Sequence, residues 1–180
     1  MQSSVRRLVL LSVLAASAIA MQVVEAPLPR LLPWLKPGLA NSTTLVALLL
    51  FGLPSALLLV LVRQVAANLL MGTFLAPSFF LGWVGASVAG ITMALALYIG
   101  RQQLGLVSIS AIGALSSNLG QLVTAAYILD HYGVWYQLPL MMGASVPAGI
   151  LIGLLSALLL QHLPKEMTKT FTHVGKESLE

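Results

Sequence analysis

Residues 56–74, from Ala56 to Phe74, read ALLLVLVRQVAANLLMGTF, and this stretch decides the fold. This mostly apolar run is close to the length of roughly 20 residues that a helix needs to cross the hydrocarbon core of a membrane. It nevertheless contains Arg63. A charge at the centre of a bilayer costs at least about 2.5–3.5 kcal/mol on insertion scales. We therefore predict that the run is a membrane helix and that Arg63 faces the interior of a helix bundle.

The composition of the whole chain agrees with a membrane location. Of its 180 residues, 58% are hydrophobic and 8% are charged, and the mean hydropathy is +0.96. Soluble domains carry roughly 25% charged residues, so these values predict an all-α membrane protein. The net charge of +4 comes from few groups near the chain ends, which argues against a nucleic-acid-binding face. Cysteine is absent, which excludes disulfide and thiolate chemistry.

Six apolar stretches remain when the chain is divided at proline, glycine and charged residues. They cover residues 8–24, 39–53, 54–71, 81–99, 107–129 and 138–160. We predict a single transmembrane domain over residues 1–180, a bundle of six transmembrane helices with a polar cytoplasmic tail at 164–180. Only a few residues around Gly52 separate the second and third stretches, which predicts a tight antiparallel hairpin there.

The basic residues predict the orientation of the chain. Six spans place both termini on one side, with six basic residues facing two on the other. The six are Arg6, Arg7, Arg101, Lys165, Lys169 and Lys176, and the two are Arg30 and Lys36. The positive-inside rule then predicts cytoplasmic termini.

The first apolar stretch also has features of a signal peptide. Arg6 and Arg7 precede it, and residues 18–20 form an A-x-A pattern. The apolar run nevertheless continues to Val24, which favours an uncleaved first helix.

Small residues recur at four-residue spacing in several spans, a pattern that lets helix backbones approach closely. They are Ala16 and Ala20; Gly82, Ala86 and Gly90; Ser116 and Gly120; and Ser145, Gly149, Gly153 and Ala157. We predict that most of these stripes pack helices within this bundle. Ala16 and Ala20 are the pair that we assign to a partner subunit.

The predicted depth of Arg63 raises the question of its partner. It lies nine residues after Pro54, or about 14 Å along its helix, and Gln64 and Asn68 make one side of that helix polar. The candidate carboxylates, Glu25 and Asp130, are predicted near the outer surface, about half a membrane away. Two interpretations stay open: Glu25, carbonyls and amides satisfy Arg63, or Arg63 binds the anionic group of a ligand.

A polar face on the fifth span predicts either a cavity or hydrogen bonds between helices. Its residues are Ser110, Gly113, Ser117, Gln121 and Thr124, with Asn118 beside them. At the start of the second span, Asn41, Ser42 and Thr44 can cap the helix or line the mouth of a pocket. The loop before it, residues 25–41, holds four prolines and so predicts a stiff segment that acts as a lid or as a plain connector.

Catalytic motifs are missing from the sequence. The five acidic residues contain no close pair and no aspartate-rich motif for magnesium and diphosphate, and the three histidines lack metal-ligand spacing. There is no Walker motif. We therefore predict no enzymatic activity, metal or cofactor for this chain.

Several motifs in a fixed order resemble a known family. MQVVEAPLP, KPGLAN, LLFG, Arg63 with LLMGTF after it, and SSNLGQ follow one another as in small bacterial membrane proteins named Gx transporter family or heptaprenyl diphosphate synthase component I. The resemblance covers roughly residues 15–155. One departure is Ser117, where the family pattern leads us to expect histidine before Asn-Leu-Gly-Gln.

This family looks like a relative of the substrate-binding S components of energy-coupling factor (ECF) transporters. That resemblance implies a six-helix bundle in the bacterial inner membrane, with an extracellular pocket under the first loop. It also implies a transmembrane coupling subunit with two ATPases, docking on Ala16 and Ala20. The synthase name implies instead a component of polyprenyl elongation, and the missing aspartates make that role a non-catalytic one.

Our leading hypothesis from the sequence is a solute-binding subunit of an ECF-type uptake system, for a small and anionic solute. The residues predicted to bind the ligand are Arg63, Asn68, Asn118, Gln121, Glu25 and Asn41. The alternative is a non-catalytic membrane component of polyprenyl diphosphate or quinone synthesis. A third possibility is a structural subunit of a membrane redox complex, which full pairing of the polar residues and the lack of a cavity would favour.

Overall fold

The structure, a computed structural model, describes residues 2–26, 38–100 and 104–162, and all regular structure within them is helical. The α-helices are α1 (Gln2–Glu25), α2 (Asn41–Phe51), α3 (Leu53–Leu70), α4 (Pro77–Gly100), α5 (Leu106–Leu129) and α6 (Leu138–His162). A 3₁₀ helix, Tyr132–Gln137, precedes α6. The predicted polar tail and most of the predicted lid loop lie outside the described residues.

Five of these helices are long and apolar enough to cross a membrane, which makes the chain a multi-pass membrane protein. Their outward faces carry large exposed apolar side chains such as Leu8, Ile99 and Leu129, the kind of surface that lipid covers. The short helix is α2, with 11 residues. The predicted second span, residues 39–53, is therefore too long: α2 measures only about 16 Å, roughly half of the hydrocarbon core.

Gly52 alone joins α2 to α3 and confirms the predicted hairpin. Its φ of 79° lies in the left-handed region, where glycine avoids the clash that a Cβ would create. The Gly52 N–H donates to the carbonyl of Leu48, and the Gly52 carbonyl accepts from Ala56. Pro54 stands in the first turn of α3, where its missing N–H removes no helical hydrogen bond.

The short helix α2 is the core of the bundle. It packs against α1, α3, α4 and α6, while α3–α4, α4–α5 and α5–α6 pack as neighbours around it. Every residue from Asn41 to Leu48 is buried as a result. This helix therefore places the polar residues of its first turn inside the protein.

The glycine stripes of α4, α5 and α6 confirm the prediction of packing within the bundle. A Cβ at Gly149 would lie 2.5 Å from Ala111 Cα, and one at Gly153 would lie 2.8 Å from Val107 Cα. Between α4 and α5, a Cβ at Gly120 would lie 3.3 Å from Gly85 Cα. The absence of side chains thus allows close contact of α5 with both of its neighbours.

Candidate functional site: a polar cavity at Arg63

Arg63 lies on the buried face of α3, as predicted. Its side chain is only 2% exposed, and its Nη2 donates a hydrogen bond to Asn41 Oδ1 at 3.2 Å. Within the described residues, the buried Nε has no hydrogen-bond partner. An unsatisfied donor on a buried charged group carries a larger penalty than the roughly 1–3 kcal/mol of a neutral one. Arg63 is therefore an incompletely satisfied cation inside the bundle.

The hairpin explains why Asn41 reaches Arg63. Asn41 is the first of the 11 residues of α2, and Arg63 is the eleventh residue of α3, so both stand equally far from Gly52. The two helices run antiparallel, and residues at equal distance from the turn lie at the same level. Ala40 is the residue before α2 and no side chain caps the helix, so Asn41 serves the cavity and not the cap.

Glu25 is much closer to Arg63 than the sequence analysis predicted. It is buried, accepts a hydrogen bond from the backbone N–H of Leu39, and acts electrostatically on Arg63. The prediction that it lies half a membrane away is wrong, because Glu25 and Arg63 line the same cavity. The chain just before α2 reaches the end of α1, where Leu39 meets Glu25 and Ala40 is buried. Asp130, the other candidate, is exposed in a left-handed turn after α5 and does not line the cavity.

An amide network joins α1 to α3 beside the arginine. Gln64 Oε1 accepts from Gln22 Nε2 at 2.8 Å and from Asn68 Nδ2 at 3.1 Å. Asn68 Oδ1 in turn accepts from the Thr73 hydroxyl at 2.8 Å. Asn68, predicted to bind the ligand, does not line the cavity; it orients Gln64, which does.

The sequence left two interpretations of the polar face of α5 open, a cavity lining or hydrogen bonds between helices, and its residues include examples of both. Ser110 donates to the Gly149 carbonyl at 2.6 Å and so ties α5 to α6. Asn118 Nδ2 donates to the Met141 carbonyl and to Ser145 Oγ, yet the residue also lines the cavity. Gln121 lines it as well, and its Nε2 donates to Ser117 Oγ at 3.2 Å.

These side chains line a small, partly open cavity of about 50 Å³. Its polar lining residues are Gln22, Glu25, Asn41, Arg63, Gln64, Ser117, Asn118 and Gln121. Five of the six predicted ligand-binding residues therefore meet at one place, and Asn68 lies beyond it. Sequence reasoning missed Gln22, although its position three residues before Glu25 puts both on one face of α1.

Glycine makes room for the cavity amides on the α4 side. A Cβ at Gly82 would lie 2.9 Å from Gln64 Nε2, and one at Gly85 would lie 2.7 Å from Gln121 Cγ. Part of the small-residue pattern in α4 thus serves the site as well as helix packing. The described lining as a whole combines one guanidinium, one carboxyl group and several neutral hydrogen-bonding side chains.

These features define a multi-pass helical membrane protein with a small polar cavity that is lined in part by the positively charged side chain of Arg63. A family model described as heptaprenyl diphosphate synthase component I matches residues 14–159, and the chain belongs to that family. No curated protein and no solved structure matches the chain.

Proposed function

We propose that this chain is a non-catalytic membrane subunit that binds a small anionic solute in the Arg63 cavity. The observation that carries the proposal is the buried guanidinium whose Nε lacks a hydrogen-bond partner among the described residues. An anion beside Arg63 would supply the missing charge-assisted hydrogen bond. The amide-rich lining would then orient the rest of the ligand.

The size of the cavity restricts the ligand. Sites for drug-sized molecules enclose roughly 300–1,000 Å³, whereas this cavity measures about 50 Å³. A heptaprenyl chain does not fit in that space. A role in polyprenyl synthesis would therefore depend on contacts with a partner protein and not on holding the product at Arg63.

Substitution of the arginine tests the binding function. Acetate and phosphate binding to the purified protein is measured by titration calorimetry for the wild type and for Arg63→Met. We expect the variant to lose binding of whichever anion the wild type binds, while circular dichroism shows an intact bundle. The control is Arg7→Met, since Arg7 bonds to Ser55 away from the cavity. Equal anion affinity in the Arg63 variant would overturn the proposal.

The family description supports a soluble prenyl diphosphate synthase as the partner. In this arrangement the chain is the membrane component, and the partner supplies the aspartates for magnesium and diphosphate that this sequence lacks. Affinity purification from the native membrane tests it. Recovery of a prenyl synthase in fixed ratio supports the assignment, and its absence from a stable complex contradicts it.

A second candidate is the substrate-binding subunit of an ECF-type uptake transporter, with α2 as a shortened second pass and both termini in the cytoplasm. The supporting observation is that Ala16 and Ala20 are both exposed on α1, so that a partner helix could approach its backbone. Replacing both by leucine should release a coupling subunit and its ATPases. Gly143→Leu, at an exposed and open position on α6, is the control. Recovery of the same partners from both variants would contradict this candidate.

The structural redox subunit has less support. We expected that role to be favoured by a bundle in which the polar residues pair fully with one another and leave no cavity. The cavity, and an Arg63 Nε that has no partner among the described residues, favour a binding function instead.

A further inference from the structure

The α2–α3 side of the cavity offers hydrogen-bond donors. Asn41 Oδ1 is occupied by Arg63, which leaves the Asn41 amide N–H groups for another acceptor. Gln64 Oε1 accepts from both Gln22 and Asn68, so the Gln64 amide is fixed with Nε2 as its remaining group. Arg63 itself has only donors. This wall therefore suits the oxygen atoms of an anion.

The α5 side offers acceptors. Asn118 Nδ2 donates to the Met141 carbonyl and to Ser145 Oγ, so the nitrogen of this amide is turned toward α6. Gln121 Nε2 donates to Ser117 Oγ. The side-chain oxygens that remain, Asn118 Oδ1 and Gln121 Oε1, accept no hydrogen bond within the described residues. This wall therefore suits a donor group on the ligand.

The chemistry of that donor follows from the charges. Among the residues that the structure describes, the charged ones that line the cavity are Glu25 and Arg63, and the acceptors on α5 are neutral. A ligand ammonium against α5 would be a buried charge without an opposite charge on that wall, whereas a hydroxyl is neutral and donates one hydrogen bond. The favoured donor is a hydroxyl group.

We propose that the ligand is a small hydroxy acid, with its carboxylate at Arg63 and its hydroxyl donating to Gln121 or Asn118. This inference rests on the proposed binding function and names the class of ligand. At about 50 Å³ the cavity has room for only a few non-hydrogen atoms, since one water needs roughly 10–15 Å³ on this scale. Glycolate is the smallest carboxylate that carries its hydroxyl on a separate carbon.

Three matched molecules test the inference on the unaltered chain. Glycolate has the hydroxyl, acetate lacks it, and glycine replaces it with an ammonium. We expect glycolate to bind about fivefold or more tightly than the other two by titration calorimetry, since a hydrogen bond contributes roughly that factor. Equal affinity for acetate and glycolate, or a preference for glycine, overturns the hydroxy-acid inference.

Substitution of Gln121 tests whether the preference for glycolate over acetate depends on α5. Gln121→Leu should lose most of the preference for glycolate over acetate, measured as the ratio of the two affinities in the same variant. Ser110→Ala, on the same helix but outside the lining, should keep that preference. A preference that survives in Gln121→Leu, Asn118→Leu and the double variant overturns the inference.

The outcomes separate this inference from the proposed function. Binding of acetate or phosphate that depends on Arg63, with no gain from the hydroxyl, leaves the anion site standing and overturns only the hydroxy acid. Binding of none of the four test molecules overturns both.

Discussion

The two halves of the bundle use polar residues in different ways. In the glycine half, formed by α4, α5 and α6, Ser110 donates to a carbonyl of the adjacent helix at 2.6 Å. In the arginine half, formed by α1, α2 and α3, the amides collect around Arg63, whose Nε has no partner in the described part of the chain. Ser110 thus ties two helices of the glycine half together, whereas Arg63 in the arginine half is an incompletely satisfied cation within the described residues.

The strongest test of the glycine half is Gly149→Val. A Cβ there would lie 2.5 Å from Ala111 Cα, which is backbone and cannot move aside. We expect a loss of about 3 kcal/mol or more, at the upper end of overpacking costs, and a clear fall in the thermal unfolding midpoint. Gly143→Val on the same helix, where nothing lies within 4 Å, should change little. Similar midpoints for the two variants would show that α5 and α6 are not closely packed.

In the arginine half, Gln64→Leu should affect both stability and binding. It removes the acceptor of Gln22 and Asn68, and leaving buried donors unpaired costs about 1–3 kcal/mol. We expect a lower thermal midpoint together with weaker binding of the anion that the wild type binds. Gln161→Leu, exposed near the end of α6, serves as the control. A stable variant with normal affinity would contradict the role given to this network.

A substitution in the α2–α3 hairpin of the arginine half should have a smaller effect on stability. Gly52→Ala places a Cβ on a residue with a φ of 79°, which costs about 1–2 kcal/mol. Gly143→Ala is the control, since Gly143 has no positive φ and no described atom lies within 4 Å of a Cβ placed there. The thermal midpoint should fall for the first variant only. An unchanged midpoint in Gly52→Ala would mean that the turn relaxes without strain.

The smallest expected effect belongs to Ser110→Ala. The variant loses one hydrogen bond between α5 and α6, and such bonds in membrane proteins average about 0.6 kcal/mol. Anion binding, measured by calorimetry, should not change because Ser110 does not line the cavity. A change in anion affinity without a change in stability would contradict the assignment of Ser110 to helix packing alone.

Most of the fold follows from hydropathy, because in a membrane each long helix must satisfy its own backbone. The five long helices and the Gly52 hairpin were predictable on that basis, as was the inward orientation of Arg63. The length of α2 was not. Residues 39–53 contain no charge and no proline that would mark the ends of a shorter helix, and α2 packs against four other helices inside the bundle.

The candidate site was predictable in its residue types and less so in its geometry. Arg63, Asn118 and Gln121 stand on polar faces that helical periodicity reveals. The approach of Glu25 depends on where the start of α2 lies, which is a tertiary property. Asn68 lies outside the cavity lining and hydrogen-bonds to Gln64. The spacing of Asn68 and Gln64 in the sequence does not specify that contact.

The equal distance of Asn41 and Arg63 from Gly52 has a consequence for how this family can vary in length. One residue inserted between Asn41 and Gly52 would shift Asn41 by about 1.5 Å and turn it by about 100°, away from Arg63. The segment from Asn41 to Arg63 should therefore tolerate no insertion or deletion, whereas residues 26–40 are free of this constraint. Sequences of other family members can be checked for it directly, and gaps within that segment would mean that the contact is not a shared feature.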